Sequence, residues 1–283
     1  MEIIGHKKQK EILSKLAKSQ NVPHAILFSG PEKIGKKEIA IEFSKELLDG
    51  DINTDFFLLS PEDNIIKIEE LRNLQEKLSL KPYNHKFKIG IIDDVHLMRK
   101  EVQNAFLKTL EEPRGNSILI LITSFPSMLL GTILSRVQEI KFSLVPRDDI
   151  EKYLIKLGAK EEQAKEISLI SSGQIGKAIE YFKNPEKLEI FNEAIKDISS
   201  LARVDYYQRF NYAKKIAELD NIDEIMDIWQ RYFRREMILM ANNKENDLIK
   251  IKELIKYIDK TRYLINSTNA NKRLVLENLL LRI

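Results

Sequence analysis

The sequence contains no cysteine and only four histidines. The absence of cysteine excludes disulfide bonds, thiol catalysis and zinc sites with cysteine ligands. The histidines are scattered along the chain and show no spacing typical of metal ligands. We therefore expect no metal site that is built from protein side chains alone.

Long apolar runs and an excess of one charge are also missing. No stretch of about eighteen consecutive apolar residues occurs, and the N-terminal segment lacks the apolar core and cleavage site of a secretory signal. We therefore expect a cytoplasmic protein without membrane contacts. The formal charge of +3 arises from 46 basic and 43 acidic residues, so the overall charge does not indicate nucleic-acid binding.

The predicted elements change in character along the 283-residue chain. Strands and helices alternate as far as Phe142, which is typical of a mostly parallel, doubly wound sheet. From Pro146 onward only helices are predicted, with amphipathic spacing. The predicted fold class is an α/β module with a small helical lid and an all-α C-terminal domain. We expect these three domains to span residues 1–145, 146–185 and 186–283.

Two predicted strands are apolar without alternation, and each ends in polar residues. Residues 89–92 run into two acids and residues 118–122 run into two hydroxyls: Asp93, Asp94, Thr123 and Ser124. Buried parallel strands have this pattern, and ligands of open α/β sheets bind beyond the carboxyl ends of the strands. These four residues are predicted site residues, although a hydroxyl that ends a strand can equally be a backbone cap.

A helix is predicted between these two strands. From Arg99 to Glu112 the apolar residues recur at helical spacing, and a proline and a glycine follow. The predicted apolar face consists of Val102, Ala105, Phe106 and Leu110.

An earlier strand, residues 24–28, runs into a glycine-rich turn that a helix follows. Gly30, Gly35 and Lys36 complete the pattern G-x4-G-K, in which backbone N–H groups and a helix N-terminus bind phosphate. The next position requires Ser or Thr as a magnesium ligand, but here it is Lys37. We predict a loop of phosphate-binding shape that does not hold magnesium-ATP productively, and the alternative is an ordinary turn between a strand and a helix.

Four segments together resemble the AAA+ clamp-loader subunits of the bacterial replicative DNA polymerase, and within that family the delta-prime branch. They are residues 23–31, 93–98, 104–113 and 132–136, and the succession of LKTLEEP and TILSR is highly specific. The resemblance covers roughly residues 1–185 and continues weakly over residues 269–280, which are similar to the end of the family's collar domain. Residues 47–64 contain no cysteine, so the zinc module of many members is absent.

The resemblance implies roles for particular residues. The acid pair of active members corresponds to Asp93 and Asp94, but the second acid is then usually Glu. Thr123 and Ser124 fall at the sensor-one position, and Gly176 falls where motor subunits carry the sensor-two arginine. With Lys37, three parts of an ATPase site are altered. We therefore expect no required cofactor and at most weak ATP binding.

The resemblance also implies a role for Ser135 and Arg136. In AAA+ rings an arginine at this place projects toward the nucleotide of a neighbouring subunit and acts there in trans. The alternative for Arg136 is a surface ion pair.

The function implied by the resemblance is that of a stator in a hetero-pentameric clamp loader. Its partners would be the delta and gamma/tau subunits, the sliding clamp and, through the assembled complex, primer-template DNA. One alternative is a gamma/tau-type motor subunit that hydrolyses ATP, and another is an autonomous AAA+ remodeller of branched DNA. A basic and aromatic DNA contact could be formed by Trp229, Arg231, Tyr232, Arg234 and Arg235. We expect instead a bundle helix with a buried aromatic residue and a solvated basic face.

Overall fold

A computed structural model describes residues 3–19, 21–50, 54–62, 64–113, 115–201, 203–219, 221–239, 245–268 and 270–283, with the backbone alone at 238–239, 245–247 and 266–267. Residue 269 of the C-terminal resemblance and residues 51–53 and 63 of the span without a zinc module lie outside the described residues. The chain divides into two compact units, residues 1–179 and 180–283. A separate lid over residues 146–185 stays a prediction.

The first unit contains a sheet of five parallel strands. They are β1 (Ala25–Ser29), β2 (Phe56–Leu59), β3 (Lys88–Ile92), β4 (Ser117–Thr123) and β5 (Gln138–Lys141). Their order across the sheet is β2-β3-β4-β1-β5, and every neighbouring pair is parallel. The strands β1, β3 and β4 are buried almost throughout, as their unalternated apolar sequences predict. The predicted mostly parallel sheet is confirmed.

The edge strand β5 was not predicted from the sequence. Of its four residues only Ile140 is buried, and the others are polar and exposed. One apolar residue does not create a strand pattern. Parallel pairing with β1, in which Ile26 lies opposite Gln138, makes this segment a strand.

Helices cover both faces of the sheet. The helices of the first unit are α1 (Lys7–Ser19), α2 (Lys36–Leu47), α3 (Ile68–Ser79), α4 (Lys100–Glu111), α5 (Gly131–Leu134), α6 (Arg147–Lys156), α7 (Glu161–Ile170) and α8 (Ile175–Lys183), which continues into the second unit. On one face Leu27 and Leu121 pack with Phe106 of α4, and on the other Ile26 and Ile120 pack with Ile39 of α2. Alternate strand side chains thus enter two apolar cores, which is the doubly wound arrangement that was predicted.

The buried face of α4 differs from the prediction at one position. Ala105 is exposed, whereas Gln103 is almost fully buried. The Nε2 atom of Gln103 donates to the carbonyl oxygens of Met98 (3.0 Å) and Met128 (3.2 Å), and its Oε1 accepts from the amide of Leu130 (2.9 Å). Gln103 therefore fixes the segment that leads into α5.

The second unit is helical, as predicted. It contains α9 (Pro185–Leu201), α10 (Tyr206–Ala217), α11 (Ile222–Leu239), α12 (Glu245–Ser267) and α13 (Lys272–Leu280). Trp229 is fully buried and its Nε1 donates to the carbonyl oxygen of Ala194 at 3.1 Å, while Arg234 and Arg235 are exposed. The prediction of a buried aromatic residue is confirmed, but the basic face is solvated at Arg234 and Arg235 and not at Arg231, whose largely buried side chain pairs with Asp227 at 3.1 Å. None of the helices in the described ranges has the length and apolar content needed to cross a membrane.

Candidate functional site

The glycine-rich turn joins β1 to the first residue of α2. Gly30 has φ 146° and Gly35 has φ 96°, both in the region that glycine adopts most readily. A Cβ at Gly30 would lie 2.3 Å from the carbonyl oxygen of Phe142, so a side chain has no space there. The predicted strand, loop and helix are therefore present, and both glycines are required by the backbone.

The side chain of Lys36 folds back and binds the backbone of the glycine-rich loop. Its Nζ atom donates to the carbonyl oxygens of Gly30 (2.7 Å) and Pro31 (2.6 Å) and to Oγ of Ser124 (3.1 Å). Only 6% of the residue is exposed. Burial lowers the pKa of Lys36, and the nearby carboxylates, Asp94 first among them, oppose this shift. All three protons of the ammonium group have partners within the chain.

Three groups from other segments hold the outside of the loop. The Nε2 atom of His6 bonds to the carbonyl oxygen of Ile34 at 2.9 Å. The Nε2 atom of Gln174 donates to the carbonyl oxygen of Glu32 at 3.2 Å. The amide of Gly176 donates to the carbonyl oxygen of Lys33 at 2.7 Å. Because a trans peptide directs its N–H opposite to its C=O, the amides of residues 33–35 point away from these anchors. The carbonyl oxygens of residues 32–34 are thus turned toward these anchors, whereas those of Gly30 and Pro31 are turned toward Lys36.

A cavity of about 550 Å³ lies beside the loop. This volume is within the usual range for small-molecule sites. Among the predicted site residues, six line it: Gly35, Lys36, Lys37, Asp93, Asp94 and Ser124. Gly30, Thr123, Ser135 and Arg136 are not in its lining.

Lys37 forms an ion pair with the first acid of the pair. Its Nζ atom lies 3.0 Å from Oδ2 of Asp93 and donates to Oγ of Ser60 at 3.0 Å. Asp93 is mostly buried, with 16% of its side chain exposed. A divalent cation beside Asp93 would therefore meet a positive charge that is already in place, and the hydroxyl that would bind it is missing. The residues present do not fit a magnesium-nucleotide complex.

Asp94 lies in a different environment from Asp93. Its backbone has φ 47°, and burial together with the neighbouring Asp93 charge raises the pKa of its carboxyl group. Oδ1 of Asp94 lies 4.0 Å from Nδ1 of His96, whose own pKa is lowered by burial. Sequence reasoning did not assign His96 to the site, although its position two residues after the acid pair was a usable signal.

The two hydroxyls at the end of β4 have different surroundings. Ser124 faces the cavity and accepts from Lys36. Thr123 is fully buried; its Oγ1 lies 3.2 Å from Nδ1 of His96 and accepts from the amide of Phe125 at 3.0 Å. Thr123 therefore caps the backbone where β4 ends, and only Ser124 contacts the loop.

Arg136 lies on a surface outside the cavity lining. Its Nη2 is 2.7 Å from Oε1 of Glu111, and its Nη1 donates to the carbonyl oxygen of Thr132 (3.0 Å) and to Oγ of Ser135 (3.2 Å). The exposed fractions of the two paired side chains are 35% and 50%. A surface ion pair is thus present, and action of Arg136 in trans stays a prediction.

Comparison with known proteins agrees with this architecture. Residues 5–146, which are half of the chain, match the family described as DNA polymerase III, delta subunit. A DNA polymerase III subunit gamma from Buchnera aphidicola subsp. Schizaphis graminum is 28% identical over 71% of this chain and 62% of the relative. A DNA polymerase III subunit delta' from Bacillus subtilis is 26% identical over 66% of this chain and 62% of the relative.

The chain spans less than two thirds of the length of these two relatives. A solved structure of a DNA polymerase III gamma subunit-related protein from Thermotoga maritima covers 95% of this chain and 97% of its own, with a TM-score of 0.52 and 20% identity. That likeness shows a common fold. From the family match and the named relatives, the chain belongs to the DNA polymerase III delta-subunit family of AAA+ clamp-loader proteins.

Proposed function

We propose that this protein is a delta-prime-like stator of the clamp loader, which does not hydrolyse ATP itself and lends Arg136 to a neighbouring ATPase subunit. The observation that carries the proposal is the ion pair of Lys37 with Asp93 at 3.0 Å. A lysine at the position of the magnesium ligand leaves the site without the metal that neutralises the phosphates during transfer. Any contribution of this subunit to ATP hydrolysis by the complex must then come from residues outside its own phosphate-binding site.

Two further positions support the absence of hydrolysis. Asp94 carries a carboxylate that is one methylene shorter than the usual Glu, which reduces its reach toward an attacking water. Gly176 supplies no cation to the γ-phosphate, and its amide is already bound to Lys33.

The surroundings of Arg136 support the proposal of action in trans. It follows α5, whose entry is fixed by the buried Gln103. Its ion pair with Glu111 is partly exposed, and such pairs contribute about 0–1 kcal/mol. An arginine finger is worth about 4–7 kcal/mol at the site that it serves. The free energy lost when Arg136 leaves Glu111 is therefore small compared with the free energy gained when Arg136 pairs with a phosphate group of the neighbouring subunit.

The proposed partners follow from the family. They are the delta and gamma/tau subunits in a hetero-pentamer, the sliding clamp, and primer-template DNA through the assembled complex, in the cytoplasm. The gamma/tau-type motor is the alternative within the family. It is disfavoured because it requires a magnesium-binding hydroxyl at position 37, where this chain has a lysine. An autonomous remodeller of branched DNA would form rings alone, whereas a stator is monomeric by size-exclusion chromatography with light scattering.

The test is reconstitution of the complete clamp loader with an Arg136→Ala subunit. We expect normal assembly but lower DNA- and clamp-stimulated ATPase activity of the complex. The ATPase site that Arg136 serves should stop hydrolysing ATP, because its transition-state cation is missing. Arg136→Lys should restore little, since a point charge lacks the planar fork that spans two phosphate oxygens.

Glu111→Gln provides the matched control. It removes the same ion pair but keeps Arg136, so a structural role of the Arg136–Glu111 ion pair predicts the same defect in both variants. A role in trans predicts a defect only in Arg136→Ala. Wild-type ATPase and clamp loading by the fully assembled Arg136→Ala complex would contradict the proposal.

A further inference from the structure

The two edge strands of the sheet, β2 and β5, differ in how their outer edges are protected. Three of the four residues of β5 are polar and exposed, and the Lys141 carbonyl oxygen accepts from Nε2 of Gln9 at 2.8 Å. Exposed charges and occupied backbone groups hinder the pairing of a further strand with an edge. The four residues of β2 are all apolar, none is fully buried, and Leu58 is 41% exposed. The strand β2 therefore lacks the protection that β5 has.

The outward-facing backbone groups of β2 belong to Phe56 and Leu58. The carbonyl oxygen of Leu59 accepts from the amide of Asp93 at 2.8 Å, and the carbonyl oxygen of Asp55 is bound to β3 in the same way. Because alternate residues of a strand face the same neighbour, the backbone groups of Phe56 and Leu58 point away from the sheet. Within the described ranges no group pairs with them. Each residue thus offers one N–H and one C=O to a further strand.

Both ends of β2 are held by bonds to other segments. After the strand, the Nζ atom of Lys37 donates to Oγ of Ser60 at 3.0 Å. Before the strand, the buried carboxylate of Asp55 accepts, at distances between 2.9 and 3.1 Å, from three groups of one loop: the amides of Tyr83 and Asn84 and Nδ1 of His85. A strand that is already fixed in this way loses little conformational entropy when another strand pairs with it.

The two faces of the sheet differ in chemistry beside β2. On one face the ammonium groups of Lys77 and Lys88 lie 5.7 and 5.4 Å from the centre of the Phe57 ring. Lys77 is exposed, whereas Lys88 is buried. Side chains alternate along a strand, so the exposed Leu58 lies on the opposite face. The edge therefore has one basic face and one apolar face.

We propose that the outer edge of β2 binds an extended segment of a partner protein as an additional strand of the sheet. Main-chain hydrogen bonds to Phe56 and Leu58 would hold this segment. Its acidic side chains would lie on the face of Lys77, and its apolar side chains would cover Leu58. The partner segment is thus an acidic strand in which charged and apolar residues alternate.

Fluorescence anisotropy of labelled synthetic peptides with the full chain tests the inference. The probes, each about seven residues long, are an acidic peptide of alternating glutamate and valine, a basic peptide of alternating lysine and valine, and the acidic peptide with a central proline. We expect the first peptide to bind at least about tenfold more tightly than the other two, because only it has both the complementary charge and an unbroken row of N–H groups. Hydrogen exchange at Phe56 and Leu58 should slow when it is bound.

Two substitutions of Leu58 make the test specific for the edge. Leu58→Pro removes an outward N–H but no hydrogen bond to β3, so the sheet should persist while the acidic peptide binds about tenfold more weakly. Circular dichroism checks that the variant is folded. Leu58→Glu keeps the N–H and places a negative charge at an exposed position, where it should also weaken binding of the acidic peptide. This second variant decides the test if the proline variant does not fold.

The charge of the partner is tested at Lys77. Lys77→Glu should remove the preference for the acidic peptide over the basic one, because the charge on this face is reversed. Lys152→Glu is the matched control. Lys152 is an exposed residue of α6, which follows the opposite edge strand, and its substitution makes the same change of charge. This control should bind all three peptides as the wild type does.

Three results would overturn the inference. One is equal binding of the acidic and basic peptides, or no binding of either at millimolar concentration to protein that unfolds cooperatively. Another is wild-type affinity of the folded Leu58 variants for the acidic peptide. The third is a wild-type dimer, seen by light scattering, that Leu58→Pro dissociates, since the edge would then bind a second copy of this chain. Arg136 takes no part in the contact, so this inference and the proposed function can fail separately.

Discussion

The amide of Gly176, in the first turn of α8, donates a hydrogen bond of 2.7 Å to the carbonyl oxygen of Lys33 in the glycine-rich loop. A Cβ at Gly176 would lie 3.0 Å from that oxygen and 3.1 Å from Cβ of Lys33. A side chain at this position would therefore require the Lys33 backbone to shift slightly away from the helix. The resemblance to clamp-loader motor subunits implies an arginine at this position, and in this chain the position is used for a backbone contact.

Gly176→Arg should destabilise the protein rather than restore an ATPase part. We expect the free energy of unfolding to fall by about 1–3 kcal/mol, since the new side chain must displace the Lys33 backbone or break its hydrogen bond. Urea unfolding followed by circular dichroism measures this change.

Gly131→Arg is the control for the Gly176 prediction. A Cβ at Gly131, the first residue of α5, would meet no atom within 4 Å. The same substitution there should change the free energy of unfolding by less than about 0.5 kcal/mol. Equal effects of the two substitutions would show that the close approach of α8 to the loop contributes nothing to stability.

The isolated chain should not turn over ATP above background. Lys37 stands in place of the hydroxyl that would bind magnesium, and its ammonium group already pairs with Asp93, the acid that would help to hold the metal. A coupled phosphate-release assay with Lys36→Ala as the control measures this. Turnover of about one per second, at the low end of ordinary enzyme rates, that disappears in Lys36→Ala would show that the site is an active ATPase.

His6 should make stability dependent on pH. It is buried against Phe142, and burial lowers its pKa, with Lys10 and Lys36 acting in the same direction and the Ile34 carbonyl opposing. Because its pKa in the folded state lies below that in the unfolded state, the unfolded chain binds a proton first as the pH falls. Stability that is complete above the unfolded pKa of about 6.5 is then lost as the pH falls through the folded pKa.

Urea unfolding at several pH values between about 7.5 and 5.5 tests the His6 prediction. The free energy of unfolding of the wild type should fall over this range. His96 has a lowered pKa as well and contributes in the same direction, so the comparison is with His6→Gln, which keeps an amide donor. A smaller fall in His6→Gln is expected, and identical pH profiles would contradict a role for His6.

Several elements could be predicted from the sequence because the residue pattern within each segment is enough to identify it. The buried strands β3 and β4 have unalternated apolar residues, and the helix α13 begins and ends where its spacing indicates. Ala105 was assigned wrongly to a buried face, because a small apolar residue fits either environment and only the packing of α4 decides. The edge strand β5 was missed because its single buried residue carries no pattern.

The sequence by itself determined the order of the strands β1 to β4 and of the helices between them, the glycines of the loop, and the replacement of a magnesium-binding hydroxyl by Lys37. These follow from residue type and spacing along the chain. Only the tertiary structure decided that Lys37 pairs with Asp93, that Ser124 rather than Thr123 contacts the loop, and that Arg136 pairs with Glu111. Such contacts join residues that are distant in sequence, and hydrogen bonds and ion pairs form only when the fold brings both partners within about 3 Å.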